Sequence, residues 1–394
     1  MSQLLVAGAG IGGLAAALAA TRAGWLAHVF EQSAQLGEVG AGIQLGPNAT
    51  RLLRAWDLLP AALLQGCAPE RVVARDAQGG HELGVLPLGR EAEARYGAPY
   101  LTIHRAELHG LLQQAAQAAG VRTHTGQRVR AFIESDTAVG LDLDAAASPE
   151  GDALVAADGL WSGLRRQLLG DAPPTPSDHV AYRGLVPMSE LPPRWRVAEV
   201  TAWLGPRLHA VSYPVRGGDM LNIVFFLEES PRAGERWGWD HPAAAARLKA
   251  GLPAVCAPLR ELVERVPSWG LWVLHDRPPV AGPQEMARGR VALLGDAAHP
   301  MRPYLAQGAA MALEDAFALG RALACVEADV ADLPAALRRY ALERWQRCAR
   351  VQRRSLRNAT LFHAGGPLRL GRDLALRSLG RRVMDLPWLY GGSA

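Results

Sequence analysis

Short uninterrupted apolar runs, not amphipathic stripes, organise the ends of this chain. Gln3 to Ala7, Leu154 to Ala157 and Val291 to Leu294 are too short for independent helices and lack period-two alternation, so they predict buried parallel strands. Behind the first run, Leu14 to Ala23 is an alanine-rich helix stopped by Gly24, and Ala27 to Phe30 is a second strand. Asn48 is placed to cap a helix running toward Leu59. Tyr100 to His104 predicts a strand, followed by a helix from Arg105 to Ala119 with leucines at 108, 111 and 112 and a stop at Gly120. Val121 to Val129 is a further strand candidate, and Phe132 to Leu143 alternates like a hairpin at the sheet edge. From about Pro173 to Val280 the texture changes to tryptophans, prolines and extended segments, with Ala198 to Leu204, Leu208 to Val215 and Met220 to Leu227 predicting antiparallel sheet. Helices are expected over Gly308 to Val326 and Leu333 to Asn358. The pattern predicts an α/β fold with a discontinuous parallel-sheet domain (1–70, 100–172 and 281–325). A mixed, largely antiparallel β-sheet domain (71–99 and 173–280) is inserted in it, and a C-terminal helical region (326–394) follows.

The chemistry begins where the apolar runs end. Gly8-Ala9-Gly10-Ile11-Gly12-Gly13 follows the first strand and opens the first helix. Gly8 suits a tight turn, Gly10 lets backbone N–H groups approach a pyrophosphate, and Gly13 lets the helix pack close to the strand. Glu31 ends the second strand, where a dinucleotide site needs an acceptor for ribose hydroxyls. Asp158-Gly159 ends the mid-chain run and Gly295-Asp296 the last one. Either pair alone is ordinary punctuation. In this order and spacing the three segments read as a Rossmann-like cage for FAD. The glycines within Glu38 to Asn48 permit close backbone approach to something flat or large.

Composition narrows the classes. With 394 residues, 49% hydrophobic and 20% charged, the chain is ordinarily globular, with room for two domains. Cys67, Cys256, Cys325 and Cys348 show neither disulfide nor ligand spacing, which fits a reducing cytoplasm; no metal is expected. Lys249 is the single lysine, and a net charge of +4 is too small to argue for nucleic acid. No apolar run approaches a membrane span and the N-terminus lacks a basic leader, so a soluble protein is expected. The helix from Leu333 carries Arg338, Arg339, Arg344, Arg347, Arg350, Arg353, Arg354 and Arg357, which predicts a solvated or dimer-facing surface, or a field drawing in an anionic substrate.

The glycine turn, Asp158-Gly159 with Arg165, and Gly295-Asp296-Ala297-Ala298-His299-Pro300 together resemble the single-component FAD-dependent aromatic hydroxylases, and the likeness runs from the first strand to Trp388-Leu389-Tyr390-Gly391. The resemblance implies a glutathione-reductase-type FAD-binding domain, an inserted substrate-binding sheet and a homodimer. It implies that Gly8, Gly10, Gly13, Glu31, Gln44, Arg105, Val129, Asp158, Asp296, Gly308 and Ala309 serve the cofactor: Glu31 at the adenosine ribose, Val129 at the adenine through its backbone, Arg105 at the phosphates or ribityl chain, Asp296 at a ribityl hydroxyl. Asp158 would serve the flavin phosphates and a nicotinamide cofactor. The helix from Gly308 would aim its N–H groups at the flavin N1/O2 edge, where reduction accumulates charge. Glu314-Asp315 and His299 are expected to be structural.

FAD alone does not define a reaction. In the inserted sheet, His209 and Tyr213 are four residues apart and so share one face of a strand; at such places the family contacts the phenolic hydroxyl of an aromatic acid. His209 is the candidate base, because imidazole titrates near neutral pH. The implied reaction takes hydride from NADH or NADPH, then O2 as a flavin C4a-hydroperoxide, and hydroxylates the ring in a dry pocket. Gln44, Pro303 and Tyr304 are the expected substrate contacts, with Pro303 standing where some relatives place a glutamine. Rival readings are hydroxylation or epoxidation of a heteroaromatic or non-aromatic compound such as hydroxynicotinate or urate, and a non-enzymatic binding protein. A halogenase is disfavoured because Trp237-Gly238-Trp239 is followed by Asp240.

Overall fold

The computed structural model describes residues 2–37, 41–144, 148–230, 241–243, 245–252, 254–326 and 332–392. Contacts divide the chain into two compact units. One comprises Met1–Glu38, Leu108–Thr175 and Asp276–Ser355; the other comprises Val39–Glu107, Pro176–His275 and Leu356–Ala394.

In the first unit the three apolar runs become the centre of a six-stranded sheet, in the order Ala287–Arg288, Val291–Leu293, Ala153–Ala156, Gln3–Ala7, Leu26–Phe30, Arg122–His124. All pairings are parallel except the outermost one at Ala287–Arg288. Leu4, Leu5, Val6, Leu154 and Val155 are buried on both faces, as uninterrupted apolar strands require. The helix Ile11–Arg22 packs on Gly308–Ala324 through small residues. A Cβ on Gly320 would stand 2.9 Å from that of Ala19, and one on Gly12 would stand 3.4 Å from that of Ala312. The alanine-rich composition is therefore what lets two helix backbones approach closely.

The second unit is built on an eight-stranded mixed sheet ordered His241–Ala243, Trp269–Asp276, Thr175–Pro187, Met220–Glu228, Leu208–Val215, Glu199–Gly205, Arg71–Asp76, Glu82–Pro87. Thr175–Pro187, Met220–Glu228, Leu208–Val215 and Glu199–Gly205 pair successively antiparallel, as do Arg71–Asp76 with Glu82–Pro87 and His241–Ala243 with Trp269–Asp276, while Glu199–Gly205 runs parallel to Arg71–Asp76. Alternation sends Leu208 and Ala210 into one core with Tyr182, Phe225 and Trp269, while Val211, Tyr213 and Val215 face a second core with Leu86, Leu88 and Tyr100. A separate pair, Gly42–Leu45 with Leu101–His104, belongs to the same unit.

Several local expectations change. Pro47 takes the first helical position, so the helix is Pro47–Ala55 with Gly46 extended before it, and Asn48 lies buried inside the first turn instead of capping it. Asp57, at φ 62, breaks the path to Leu59. The strand expected over 121–129 is only Arg122–His124, because Gly126 turns at φ 67. The hairpin Val129–Glu134 with Val139–Leu143 forms its own three-stranded sheet with Glu150–Gly151, not an edge of the parallel one. The C-terminal helices are Gly308–Ala324, Leu333–Phe362 and Gly366–Leu379. Trp237-Gly238-Trp239 lies outside the described residues.

Candidate active site

The first unit assembles the glycine segments around one turn. Gly8, at φ +100, lies so close to the Asp158 segment that a Cβ would meet the Ala157 carbonyl oxygen at 2.4 Å. A Cβ on Gly13 would stand 1.9 Å from the Gly8 carbonyl oxygen, which is why the helix can start directly under the strand. Gly10 differs, since nothing lies within 4 Å of where its Cβ would be. Glu31 reaches back into this turn: its Oε2 accepts from the Ala9 N–H at 2.8 Å and its Oε1 from the Ser33 N–H at 2.9 Å. From the other side, His109 Nε2 lies 2.7 Å from the Ala9 carbonyl oxygen. Val129 is half-buried at the start of its strand.

Asp158 is the anomaly that points to a ligand. Its Oδ2 accepts from the Leu164 N–H at 3.4 Å, but the buried Oδ1 has no hydrogen-bond partner among the described residues. Burial pushes this carboxyl above its ordinary range, despite the hydrogen bonds that oppose the shift. A buried carboxylate oxygen left this way costs about 1–3 kcal/mol unless something donates to it, and polyol or ribose hydroxyls are donors. No side chain caps the helix Gly308–Ala324, and the space beside Gly308 is open. An uncapped helix start with room in front of it suits an electron-rich group. The residues present thus fit FAD.

The segment carrying Asp296 is held rigidly. Arg165 is buried and donates to the Ala297 and Ala298 carbonyls at 3.1 and 2.5 Å while pairing with Asp171 at 2.5 Å. His299 Nε2 stands 2.5 Å from Asp315 Oδ2; the same carboxylate takes the Gly295 N–H at 3.2 Å and Arg344 Nε at 2.8 Å. Glu314 completes the cluster with Arg344 at 2.7 Å and Arg347 at 2.5 Å. Burial disfavours charge on both His299 and Asp315, but their mutual attraction outweighs it: His299 is raised well above its usual value, and Asp315, also held by Arg344, is lowered. The arginine-rich helix is accordingly not one solvated surface. Arg338, Arg339, Arg350, Arg353 and Arg357 are exposed, whereas Arg344 is among the most deeply buried side chains. Tyr304 is buried near this segment, and Pro303 accepts the Ala306 N–H at 3.1 Å.

The second unit brings Gln44 and Tyr213 together but sends His209 elsewhere. Gln44 Oε1 accepts from Tyr100 Oη at 2.8 Å, and Tyr213 Oη donates to the Gly42 carbonyl at 2.7 Å. Asn222 Oδ1 takes the Gly42 N–H at 2.8 Å, so both polar groups of Gly42 are fixed from the sheet. Burial raises the Tyr213 and Tyr100 phenols, which stay neutral donors. Arg105 opens its helix with its N–H on the Ala41 carbonyl at 3.1 Å. His209 shares the Tyr213 face but is fully buried, stacked on Phe226 with centroids 4.4 Å apart. Its Nδ1 lies 2.7 Å from His363 Nε2, and His363 Nδ1 lies 3.2 Å from Glu228 Oε1. Burial first, then the neighbouring His363 and His179, hold His209 well below the usual imidazole value. The premise that His209 titrates near neutral pH is therefore corrected: it is a neutral imidazole there.

Sequence reasoning missed His109, Tyr100, Asn222 and His363. His109 is a polar position on the buried leucine face of its helix, and that spacing was the available signal. Arg344 was visible the same way: Leu337, Tyr340, Arg344, Cys348 and Val351 recur at helical spacing and are all buried.

Glycine turn, acidic strand end, orphaned aspartate and uncapped helix define a dinucleotide-binding flavoprotein. The family model described as "FAD binding domain" matches residues 1–355. The chain is 37% identical over 393 residues to 3-hydroxybenzoate 6-hydroxylase of Polaromonas naphthalenivorans (strain CJ2), covering 98% of this chain and 95% of the relative. It is 34% identical over 361 residues to 6-hydroxynicotinate 3-monooxygenase of Bordetella bronchiseptica, covering 91% and 92%. Among solved structures it resembles Klebsiella pneumoniae HpxO complexed with FAD and uric acid, at TM-score 0.86, 26% identity and 99% and 96% coverage. A salicylate hydroxylase substrate complex matches at TM-score 0.82, 25% identity and 99% and 97% coverage. The chain belongs to the FAD-dependent aromatic hydroxylase family: it is an FAD-dependent monooxygenase that hydroxylates aromatic substrates. No helix among the described residues is long and apolar enough to cross a membrane.

Proposed function

We propose that this monooxygenase uses NADH or NADPH and O2 to hydroxylate a phenolic aromatic acid of the hydroxybenzoate or salicylate type. The observation carrying the reading is the hydrogen-bonded chain from the partly exposed Glu228 through the buried His363 to the buried His209, on the sheet face that also carries Tyr213. Where Glu228 Oε1 accepts from His363 Nδ1–H, His363 Nε2 accepts from His209 Nδ1–H, and the lone pair of His209 is left on Nε2. That atom takes the phenolic proton while His209 Nδ1–H passes to His363 Nε2 and His363 Nδ1–H to Glu228, so no imidazolium is left in the buried site and electron density rises at the ortho and para carbons. Tyr213 and Gln44, held by Gly42 and Tyr100, orient the ring and its substituents.

FAD, when bound, supplies the two-electron reduction and activation of O2. In the first unit Gly8, Gly10, Gly13, Glu31, Val129, Asp158, Asp296, Gly308 and Ala309 would hold it, with Pro303 and Tyr304 on the substrate side. The apolar side chains around Tyr213 keep water from the reacting ring. The names of the relatives support the substrate class. Heteroaromatic acids and urate are the second reading, favoured by the likeness to 6-hydroxynicotinate 3-monooxygenase and to HpxO and by proline at position 303.

Purified protein should be yellow and should consume NADH or NADPH in the presence of its substrate. A panel of hydroxybenzoates, salicylate, hydroxynicotinate and urate, with product identification, decides between the readings. Stoichiometric hydroxylation of a phenolic acid is expected; product only from urate would replace the reading.

A further inference from the structure

We propose that His179, Glu228 and His363 form a binding site for a first-row divalent metal ion of the zinc type. The antiparallel register sets His179 directly across from Glu228. Glu228 Oε1 lies 3.2 Å from His363 Nδ1 and 4.0 Å from His179 Nε2, and the three ligand atoms all fall within 4.8 Å of one another. Zinc holds such donors at about 2.0–2.2 Å, which puts neighbouring donors about 3.4 Å apart. One pair already meets that spacing, and an ion would have to draw the third donor in from within 4.8 Å.

Burial is graded as an ion site needs. The His363 side chain is 1% exposed, that of His179 13% and that of Glu228 34%, so the inner ligand is fixed while the outer two open to solvent. Two imidazoles and one carboxylate are a donor set zinc accepts, with a position left for water. His363 also carries the outer hydrogen bond that metal-ligating histidines usually show, its Nε2 facing His209 Nδ1 at 2.7 Å. Arg207 Nε approaches Glu228 at 3.5 Å but on Oε2, leaving Oε1 for the ion. The other His, Asp and Cys cluster, His299 with Asp315 and Cys348, is no rival, because Asp315 is already taken by Arg344.

Occupancy reverses the proton order described above. A metal on His363 Nδ1 leaves the proton on Nε2, which donates to His209 Nδ1; His209 must then carry its own proton on Nε2. The lone pair that receives the phenolic proton is gone. This inhibitory consequence rests on the proposed role of His209; the site itself does not.

Untagged full-length protein, cleared of metal by a chelator, is titrated with Zn2+ by calorimetry and with Co2+ by its visible ligand-field bands. One ion per chain is expected, with affinity at least about tenfold weaker in Glu228→Gln and in His179→Asn, both partly exposed positions. Absence of binding, or equal binding by both variants, overturns the site. Turnover on the true substrate should fall as Zn2+ fills the site in wild type and not in His179→Asn at the same Zn2+ concentration. Binding without inhibition leaves the site standing and overturns the base role of His209.

Discussion

Gly10 and Gly13 lie in one turn, yet a methyl group at each is opposed by different things. At Gly13 an added Cβ would stand 1.9 Å from the Gly8 carbonyl oxygen and 3.0 Å from its carbon, both backbone, and 3.4 Å from Val6 Cγ1. Strand and helix must separate to admit it, at a cost of about 3 kcal/mol or more, the upper end of overpacking. At Gly10 nothing lies within 4 Å, and φ −70, ψ −179 is extended backbone open to any residue. Gly10→Ala should therefore change the stability of FAD-free protein by less than about 1 kcal/mol. In the proposed cofactor site, what would oppose its methyl is the pyrophosphate. Displacing one charge-assisted N–H bond costs about 1.5–3 kcal/mol, or about 10- to 150-fold in FAD affinity. Urea unfolding of apoprotein measures the first quantity, and quenching of flavin fluorescence measures the second. Wild-type FAD affinity in Gly10→Ala, or an apoprotein as damaged as Gly13→Ala, would refute the reasoning.

Asp315→Asn removes the acceptor shared by His299, Arg344 and Gly295, and should destabilise by about 3 kcal/mol in urea, the low end for a broken buried pair because Glu314 still holds Arg344. Asp315 is depressed, so its contribution is present above the unfolded value of 3.8 and is lost as pH falls below it; His299 is raised, so its contribution is present below 6.5 and is lost only as pH climbs through its higher folded value. The deficit of the variant should thus hold through neutral pH and shrink in acid; a deficit that grows in acid contradicts the assignment. Tyr213→Phe leaves the Gly42 carbonyl without its 2.7 Å donor and should cost about 1–2 kcal/mol, read as a lower urea midpoint at unchanged slope. His209 is depressed by burial, so wild type should lose stability relative to His209→Gln as pH drops below about 6.5, and parallel pH profiles for the two proteins would show that His209 is not held neutral.

What could be read from the chain was what neighbouring residues decide. Leu4 to Ala7 and Ala153 to Ala156 are apolar without alternation because both faces of each strand are covered, and the glycine turn follows within a few positions, so strand, turn and helix are one local pattern. Antiparallel strands such as Leu208–Val215 announce themselves by residue type for the same reason. Errors arose where one residue decides a boundary. Pro47 moves a helix start ahead of Asn48, and the left-handed Asp57 and Gly126 end elements that apolar content alone would extend. At the candidate site, the glycines and Glu31 could be read because they fall within one strand–turn–helix–strand unit, and Asp158 because it ends an apolar strand run just before a glycine. The partner of His209 lies 154 positions away, and no local period connects His209 to His363.

The buried charges carry the same lesson further. Arg344 stands among seven other arginines of one helix, and composition cannot separate the one paired with Asp315 from those in water. Its energetics can. An arginine beside Tyr340 and Cys348 at helical spacing is tolerable only if anions meet it, and the nearest supply within this unit is the Glu314-Asp315 pair. Asp315, so fixed through Oδ1, turns its other oxygen, Oδ2, to His299 and the Gly295 N–H, which flank Asp296. Burying the guanidinium therefore orients the turn that bears Asp296, the proposed cofactor contact, although Arg344 itself need never touch the flavin. Replacing Arg344 by Met should test that chain of dependence through FAD affinity: if the cluster positions Asp296, affinity falls even in variants whose apoprotein remains folded, and retention of wild-type affinity would confine Arg344 to stability alone.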